Sequence, residues 1–433
     1  MTATVPAPFS GSTWRRDGSD ERAAAASTDT RAEMATIAPE ALEIRAMARE
    51  FADGEIRPYS AAWDADREFP VEIIRKLGEL GFLGMGIPEE YGGLDLDLPT
   101  ALLALESLAW GDAAVALTVA VHGGPVVRAL LEHGTEAQRS RWLPGLATGE
   151  TLAAFALSEK DAGSDATALT TKAERTSDGW SLSGRKRWVT NGDRAGLLLV
   201  FARTGEGRKE LSAFLVPRST PGIANVGRER TLGMSASETL SLEFSGIELS
   251  DDALLGEAGQ GWEVARSCLV VGRLSVAAQA VGVAQAAYEH AIRYAREREQ
   301  FGHALAEFGA IREKLAGMAL RIEESRTLLL ATAGRWEDRG SGEGAGDRPA
   351  DDTALHLPAS LASAAALAKI SASESAMWVT DEAVQIFGGY GYMRDYPVEK
   401  LMRDAKGTEI YEGSNEVLRW LVARDLLNEV QGR

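Results

Sequence analysis

The sequence predicts an α+β protein in which an N-terminal helical domain, a central antiparallel β domain and a C-terminal four-helix bundle follow one another. Apolar residues recur at helical spacing from about residue 40 to 148, at a spacing of two between about 150 and 255, and at helical spacing again from Gly261. The length of 433 residues agrees, because roughly 150 residues per domain suggests two or three domains. We place the domains at 38–150, 151–255 and 256–433.

The N-terminal region has a helical pattern that prolines interrupt. Pro58 and Pro70 punctuate it, and its first apolar residues are Leu42, Ile44, Met47, Phe51 and Ile56. Apolar runs follow at 101–105 and 126–131, and 135–145 is interpreted as one more helix.

The central region changes to strand periodicity. In Leu240-Ser241-Leu242-Glu243-Phe244 every second residue is apolar. Glycines divide the region into short strands, namely Gly179, Gly184, Gly192, Gly196, Gly205, Gly222 and Gly246. A small antiparallel β domain is expected.

The C-terminal region is helical again and contains one interruption. Residues 277–287 are almost all Ala, Val, Gly and Gln, which is typical of helices packed closely on several sides. Residues 340–358 are rich in Gly, Asp and Pro and predict a mobile insertion between two helices.

Composition excludes several classes of function. Lys and Arg number 46 against 64 Asp and Glu, a net charge of −18 that disfavours nucleic acid and anionic membranes as partners. An anionic substrate would need its own local basic residues. The single Cys268 and five histidines without ligand spacing predict no disulfide and no metal site. We find no apolar run of about 18 residues, the length that a membrane span needs.

The first 37 residues are predicted to be a disordered tail. They lack the apolar stretch of a secretory signal, and acidic residues follow Arg15 and Arg16, which disfavours an import peptide. A cytoplasmic location is therefore expected.

Four segments carry possible chemistry, although each alone has an ordinary structural explanation. Residues 155–165 run from a strand into a turn of small residues, whose amides and hydroxyls could bind an anion or a ring. The alternative is that this segment is only an ordinary strand-to-loop turn. Residues 186–192 place Trp188 and Thr190 on one strand face, suitable for a flat ring, although such a Trp is more often in a core.

The other two segments lie near the C-terminus. Residues 385–392 form a Gly-rich turn that lacks the dinucleotide-binding spacing and is equally explained as a helix cap. Glu412 stands between Tyr411 and Gly413, where the backbone can approach a ligand closely, whereas an isolated Glu is usually a solvated surface residue.

Together and in this order, the four segments resemble the acyl-CoA dehydrogenase family over about residues 40–430. The resemblance implies an FAD-dependent α,β-dehydrogenation of an acyl-CoA to its trans-2-enoyl-CoA, an oxidoreductase step of fatty acid β-oxidation. Glu412 matches the family's base. Some members carry the base on a core helix instead, and that position here is Gly272, directly before Arg273.

The resemblance also implies the flavin and substrate contacts. Ser158 would meet the pyrimidine end of the flavin ring, Thr190 the hydride-accepting nitrogen, and the backbone amide of Glu412 would form an oxyanion hole with FAD. Arg273, Tyr411, Gly413 and Ser164 would contact the substrate, with Arg273 as the local positive charge for CoA. The remaining positions along the flavin and pyrophosphate are Phe155, Ala156, Leu157, Gly163, Trp188 and Val189.

An FAD site shared between subunits is the third implication. Arg298, Gln300 and Phe301 would reach a neighbouring subunit's FAD. The other positions near the cofactor are Gln385, Ile386, Phe387, Gly388, Gly389, Ser414, Asn415 and Glu416. A homotetramer, as a dimer of dimers, is expected, with electron-transferring flavoprotein as electron acceptor.

Two departures and two rival functions complete the sequence-based expectations. Gly309 stands where many members have a glutamine, and residues 340–358 have no counterpart in shorter members. An acyl-CoA oxidase of similar fold is the rival enzyme. A catalytically silent acyl-CoA-binding scaffold is disfavoured, because Glu412, Arg273, Trp188 and Thr190 are all present.

Overall fold

The computed structural model describes residues 38–338 and 360–431, so the predicted tail and the predicted insertion lie outside the described residues. The first region is helical, as the sequence predicts. Its helices are α1 (Pro39–Phe51), α2 (Arg57–Asp66), α3 (Val71–Glu79), α4 (Leu98–Gly111), α5 (Ala113–Val121), α6 (Val127–His133) and α7 (Glu136–Thr148). Two π-helical turns, Ala52–Ile56 and His122–Val126, join α1 to α2 and α5 to α6.

The central region forms a mostly antiparallel sheet. Its strands are β1 (Leu152–Ala156), β2 (Lys172–Arg175), β3 (Trp180–Thr190), β4 (Ala195–Arg203), β5 (Leu211–Pro217), β6 (Ile223–Arg228), β7 (Thr239–Leu249) and β8 (Leu254–Leu255). The order is β6-β7-β3-β2-β4-β5-β8, and β1 pairs with β4 in parallel, as does β2 through Lys172 and Arg203. These two parallel pairs depart from the purely antiparallel expectation.

The last region contains the longest helices. After α8 (Gly261–Glu297), the two-residue strands β9 (Glu299–Gln300) and β10 (His303–Ala304) form a small hairpin. The remaining helices are α9 (Gly309–Asp338), α10 (Leu361–Phe387), α11 (Pro397–Thr408) and α12 (Asn415–Gln431). The long helices α8 and α10 contribute small residues to the largest apolar core, among them Ala277, Ala280, Ala368 and Ala372.

Two stretches are long and apolar enough to cross a membrane, so the expectation that none would reach that length is wrong. Ala113–His133 stays helical through Gly123, Gly124 and Pro125 by way of the π-helical turn, and Gly261–Glu297 is one continuous helix. The folded chain buries 78% and 83% of their most apolar windows. Both are therefore core helices of this fold.

A buried charge cluster joins distant parts of the chain. The Lys400 ammonium on α11 donates to the Asp112 carboxylate at 2.9 Å and to the Asp404 carboxylate at 2.7 Å. Asp112 also accepts from the amides of Ala114 and Val115 and so caps α5, while Asp404 accepts from the Met234 amide. Helical and β regions thus meet at one point.

Candidate active site

Glu412 lies in the short turn between α11 and α12, and its backbone has left-handed geometry. Its φ is +57°, and Gly413 follows with φ +96°. A left-handed conformation costs a side-chain-bearing residue roughly 1–2 kcal/mol, whereas glycine adopts it freely. Tertiary contacts must therefore hold the turn, and the glycine after Glu412 is required by its conformation.

Two basic side chains hold the carbonyl groups of this turn. The Arg273 Nε on α8 donates to the Glu412 carbonyl at 3.4 Å. The Lys369 Nζ on α10 donates to the Gly413 carbonyl at 2.9 Å. The turn is thus fixed from two neighbouring helices.

The Glu412 carboxylate lies directly above Gly272 of α8. A Cβ placed on Gly272 would lie 2.7 Å from Oε2 of Glu412, so only glycine leaves room for the carboxylate in this position. Glu412 as a residue is only partly buried, but its Oε2 is enclosed and, within the described residues, accepts no hydrogen bond. Position 272 and the Glu412 carboxylate, far apart in the sequence, are therefore neighbours in the fold.

Burial sets the protonation behaviour of this carboxyl group. Desolvation raises the pKa of Glu412 to about 7, although the charges of Arg273 and Lys369 act in the opposite direction. A carboxylate of this kind is well matched to accepting a proton near neutral pH.

Tyr411 connects the turn to the protein interior. Its hydroxyl donates to the Gln279 Oε1 and lies 3.8 Å from the Met234 Sδ, and the Gln279 Nε2 donates to the Ala113 carbonyl at 2.6 Å. Burial raises the pKa of the Tyr411 hydroxyl well above its usual value. This hydroxyl is therefore engaged within the protein.

A small apolar cavity of about 100 Å³ borders α8 on both sides of Gly272, the residue that the Glu412 carboxylate faces. Val271 and Ser275 on α8 line it together with Gly124 from the π-helical turn, whose Cβ position lies 3.8 Å from the Gly272 Cα. Its other walls include Leu102, Leu105, Val119, Ala120 and Val127.

The π-helical turn that borders the cavity is held by a buried histidine. The His122 Nδ1 accepts from the Ala153 amide at 3.1 Å, so its other nitrogen, Nε2, carries the proton and donates to the Leu146 carbonyl at 3.0 Å. Burial lowers the pKa of His122 to about 4, in agreement with a neutral ring. His122 therefore ties the cavity wall to β1.

The loop after β1 and the end of β3 meet, as the resemblance implies. The Arg187 amide donates to the Ser158 carbonyl at 2.9 Å, and Trp188 lies 3.9 Å from the Cβ position of Gly163. The hydroxyls of Ser158, Ser164 and Thr190 form no hydrogen bond to any group in the described part of the chain. Ser158 and Thr190 are half-buried, and Gly163, Ser164 and Trp188 are exposed.

Trp188 does not follow simple strand alternation. The register between β3 and β7 shifts between Lys186 and Val189, and Trp188 has φ +58°. This bulge turns Val189 into the core and leaves the Trp188 side chain 48% exposed. The side chains of Ala156, Leu157 and Val189 are buried, so only their backbone groups can reach a ligand.

A buried ion pair supports this loop from beneath. The Lys186 ammonium donates to the Leu157 carbonyl and to the Glu159 carboxylate, both at 2.9 Å. Glu159 also accepts from the Thr170 and Thr171 amides at 2.7 and 2.9 Å. Although burial raises the pKa of Glu159, the Lys186 charge and these hydrogen bonds lower it to about 2.

A second cleft, of about 530 Å³, brings together the residues expected to serve a neighbouring subunit. It is lined by Arg298 and Gln300 and by Gly388 and Gly389, with the Arg298 guanidinium 5.5 Å from the ring centre of Tyr390. Phe301 is 92% exposed and Gln385 is exposed. The remaining expected residues, Ile386 and Phe387, also line the cleft. Both of these side chains are mostly buried, and the Phe387 ring stacks on the Tyr294 ring.

The residues after the turn divide into two groups. Asn415 is directed inward, where its Oδ1 accepts from Lys369 at 2.8 Å and its Nδ2 donates to the Ser373 hydroxyl at 3.0 Å. Ser414 is half-buried and Glu416 is exposed. Asn415 is therefore engaged within the chain, and Glu416 remains accessible.

Sequence reasoning missed Lys369, Gln279 and Gly124. Lys369 had a signal, because it is the only charged residue in the stretch 361–373. Gln279 and Gly124 had none, because a glutamine or a glycine among alanines and valines looks like ordinary helix packing.

Family models cover nearly all of the described chain. Residues 38–150 match the acyl-CoA dehydrogenase N-terminal domain, 154–247 the middle domain and 259–427 the C-terminal domain.

Individual relatives agree in both sequence and structure. An acyl-CoA dehydrogenase of Bacillus subtilis (strain 168) is 40% identical over 90% of this chain and 99% of its own. The mitochondrial short-chain specific acyl-CoA dehydrogenase of Bos taurus is 39% identical over 89% of each chain. Butyryl-CoA dehydrogenase from Megasphaera elsdenii superposes with a TM-score of 0.84 at 37% identity, covering 90% of this chain and 99% of that chain.

Two further solved structures are similar. One, described as the electron transferring flavoprotein of Acidaminococcus fermentans, has a TM-score of 0.84 and 38% identity over 90% of this chain and 98% of that chain. The other is an acyl-CoA dehydrogenase from Bacillus anthracis complexed with FAD, with a TM-score of 0.84 and 32% identity over 92% of this chain and 68% of that chain. Sequence, domain composition and fold agree, and the chain belongs to the acyl-CoA dehydrogenase family of oxidoreductases.

Proposed function

We propose that this chain converts a short-chain acyl-CoA thioester into the trans-2-enoyl-CoA, with Glu412 as the base and FAD as the cofactor. The observation that carries the proposal is the Glu412 carboxylate itself. It is enclosed against Gly272, its pKa is raised to about 7, and an apolar cavity borders α8 on both sides of Gly272.

The chemistry asked of Glu412 is removal of a proton from the carbon next to the thioester carbonyl. Such a proton is weakly acidic, so a base with a raised pKa is better matched to it than an ordinary carboxylate. The negative charge then develops on the thioester oxygen. The Glu412 amide N–H donates to no protein acceptor in the described residues, and it is free to stabilise that oxygen.

The loop after β1 and the bulge of β3 fit a flavin. The exposed face of Trp188 suits a flat ring, and the unengaged hydroxyls of Ser158, Ser164 and Thr190 offer hydrogen bonds to its edge and to phosphate. FAD, when bound, supplies the acceptor for the hydride that leaves the neighbouring carbon. The FAD-bound Bacillus anthracis relative supports this assignment.

A short acyl group agrees with the size of the cavity. About 100 Å³ between α4, α5 and α8 has room for roughly a handful of heavy atoms, and its lining is mostly apolar. The short-chain and butyryl-CoA relatives support the same assignment. A panel of acyl-CoAs of increasing length, assayed with an artificial electron acceptor, should therefore show its best turnover at short lengths.

Arg273 is proposed to act on the base and not as an exposed charge for CoA. Its guanidinium contacts the Glu412 carbonyl at 3.4 Å, and burial lowers its pKa. These contacts favour control of the geometry around Glu412 over the sequence-based expectation that Arg273 is the local positive charge for CoA.

We further propose an oligomer in which the second cleft completes the FAD site of a neighbouring subunit. Arg298, Gln300 and Phe301 lie in or beside a cleft that is open to solvent in the single chain. The same proposal includes a homotetramer, electron-transferring flavoprotein as the electron acceptor, a place in β-oxidation and a cytoplasmic location. The Acidaminococcus fermentans structure supports the choice of acceptor.

Replacement of Glu412 by Gln tests the proposed reaction. The variant keeps the size of the side chain and removes the base, so flavin bleaching by acyl-CoA should fall on the order of 10²- to 10⁴-fold. FAD content and acyl-CoA binding should persist, because neither uses the carboxylate. A variant that bleaches its flavin at the wild-type rate would refute the mechanism.

Reoxidation in air separates the proposed dehydrogenase from an oxidase of the same fold. The protein is first reduced with acyl-CoA without oxygen and then mixed with aerated buffer. Slow return of the flavin absorbance is expected. Fast return would identify an oxidase, and failure of the substrate to bleach the flavin at all would identify a silent scaffold.

A further inference from the structure

Lys369 lies fully buried on α10 and is the only charged residue between Leu361 and Ser373. Burial of an ammonium group is costly unless the protein compensates it. An apolar side chain would fill the same space without that cost. The position of Lys369 therefore indicates a specific task.

The contacts of Lys369 differ from those of the other strongly buried lysines. Lys186 and Lys400 are each in direct contact with a carboxylate, at 2.9 Å and 2.7 Å. Among residues 38–338 and 360–431, Lys369 forms no such ion pair. Its Nζ donates instead to the Gly413 carbonyl at 2.9 Å and to the Asn415 side-chain oxygen at 2.8 Å.

These two acceptors belong to the first and third residues after Glu412. The Glu412 and Gly413 backbones have φ of +57° and +96°, so the direction of the carboxylate depends on a turn that most sequences would not adopt. The Lys369 ammonium fixes the carbonyl at the end of this turn. A rotation of the turn away from Gly272 would break that hydrogen bond.

A second hydrogen-bond route joins the same helix to the start of α12. The Asn415 Nδ2 donates to the Ser373 hydroxyl at 3.0 Å, and that hydroxyl donates to the Lys369 carbonyl at 2.7 Å. One turn of α10 therefore holds the Gly413 carbonyl and the Asn415 side chain together.

The charged surroundings of the turn come from three sides. Arg273 and Cys268 face Glu412 from α8, Lys369 faces it from α10, and Glu409 and Glu416 flank the turn. Burial lowers the pKa of Lys369 to about 7, with Glu412 acting in the opposite direction, so Lys369 and Glu412 lose their protons over the same pH range. While Lys369 is protonated, its charge favours the carboxylate form of Glu412.

We propose that Lys369 is the positioning residue of the Glu412 base: its buried ammonium fixes the Glu412–Gly413 turn and directs the carboxylate towards Gly272 and the substrate. This inference rests on the proposed function, because it assigns Glu412 as the base. It adds a role for a residue on a helix that supplies no reacting group.

The test compares Lys369→Met with the wild-type holoenzyme in anaerobic stopped-flow flavin reduction by acyl-CoA. Loss of the turn's anchor should lower the rate constant at saturating substrate on the order of 10²-fold, because a displacement of about 1 Å costs a reacting group that much. FAD content and the substrate concentration for half-saturation should stay unchanged. The rise of rate with pH should move to higher pH, since the lost cation had lowered the Glu412 pKa.

Two companion variants make the result specific. Lys406→Met removes an exposed ammonium that is paired with Glu409 near the same turn, and it should keep the wild-type rate and pH profile. Lys369→Gln retains a hydrogen-bond donor without the charge. It should show the same pH shift with a smaller loss of rate, and it serves as the test if Lys369→Met does not fold.

The outcomes separate this inference from the proposed function. A folded, FAD-loaded Lys369→Met or Lys369→Gln with wild-type rate and pH profile would overturn the positioning role while leaving Glu412 as the base. A loss of thermal stability with unchanged reduction per flavin would also overturn it, because it would show a structural role only. Wild-type activity in Glu412→Gln would instead remove the proposed function itself.

Discussion

Gly272→Ala should disable the base by displacing it, without weakening the helix that carries the substitution. The new Cβ would lie 2.7 Å from the Glu412 Oε2 and 3.1 Å from its Cδ. Ordinary non-bonded contact needs about 3.5 Å, so the carboxylate must retreat by roughly 0.5–1 Å. A displacement of that size costs a reacting group about 10- to 100-fold in rate.

The same substitution should leave folding intact. Alanine replaces glycine inside a long helix, a change that favours the helix by up to about 1 kcal/mol. The assay is anaerobic flavin reduction at saturating acyl-CoA, together with a thermal melt. Gly334→Ala, inside the long helix α9, is the matched control, because no atom outside its own stretch of helix lies within 4 Å of its Cβ position. If Gly272→Ala reduces its flavin at the wild-type rate, the contact with Glu412 does not set the position of the base.

Four further outcomes follow from the site. Flavin reduction should rise with pH through about 7 as Glu412 loses its proton, and a flat profile would contradict the assignment. Arg273→Ala should retain FAD and move the rise of the reduction rate to higher pH, because it removes a positive charge that lowers the Glu412 pKa. An unchanged pH profile would argue against this role of Arg273. Arg298→Ala should lose FAD and subunit association together, and a yellow variant of wild-type mass would refute the shared site. Lys186→Met leaves the buried Glu159 carboxylate without its cation, so it should lower the free energy of unfolding in urea by about 3–5 kcal/mol. A loss below about 1 kcal/mol would contradict this prediction.

The order of helices and strands could be predicted because it is determined by local sequence patterns. The change from helical spacing to a spacing of two is visible within a few residues, as in 240–244. Glu412 was assigned as the base from the resemblance of its segment to a known family, and this assignment stays a prediction. Its contact with Gly272 joins positions far apart in the chain, and no local pattern states how close the two groups come.

The bulge at Trp188 could not be predicted from alternation. Simple strand alternation places Lys186 and Trp188 on the same face as Leu182. The shift in the pairing register between Lys186 and Val189 instead directs the Val189 side chain into the core. Trp188 and Thr190 are both more exposed than Val189, which is buried. The physical cause is pairing with β7, which belongs to a later part of the chain.

Hydrogen bonds over long sequence distances were also beyond local prediction. Gln279 supports Tyr411 from α8, and Asn415, expected to lie near the cofactor, is turned towards Lys369 and Ser373. Only the fold reveals which polar side chains must satisfy one another in the interior.

The Asp112, Lys400 and Asp404 cluster has a consequence for how the chain can be divided. An α11 fragment without the first helical region would bury Lys400 with one carboxylate instead of two, and Asp404 would lose the Met234 amide without the β region. A buried charge that loses its partner is strongly destabilising. We therefore expect the three regions to unfold as one cooperative unit, so that pieces cut at 150 or 255 would be poor substitutes for the whole protein.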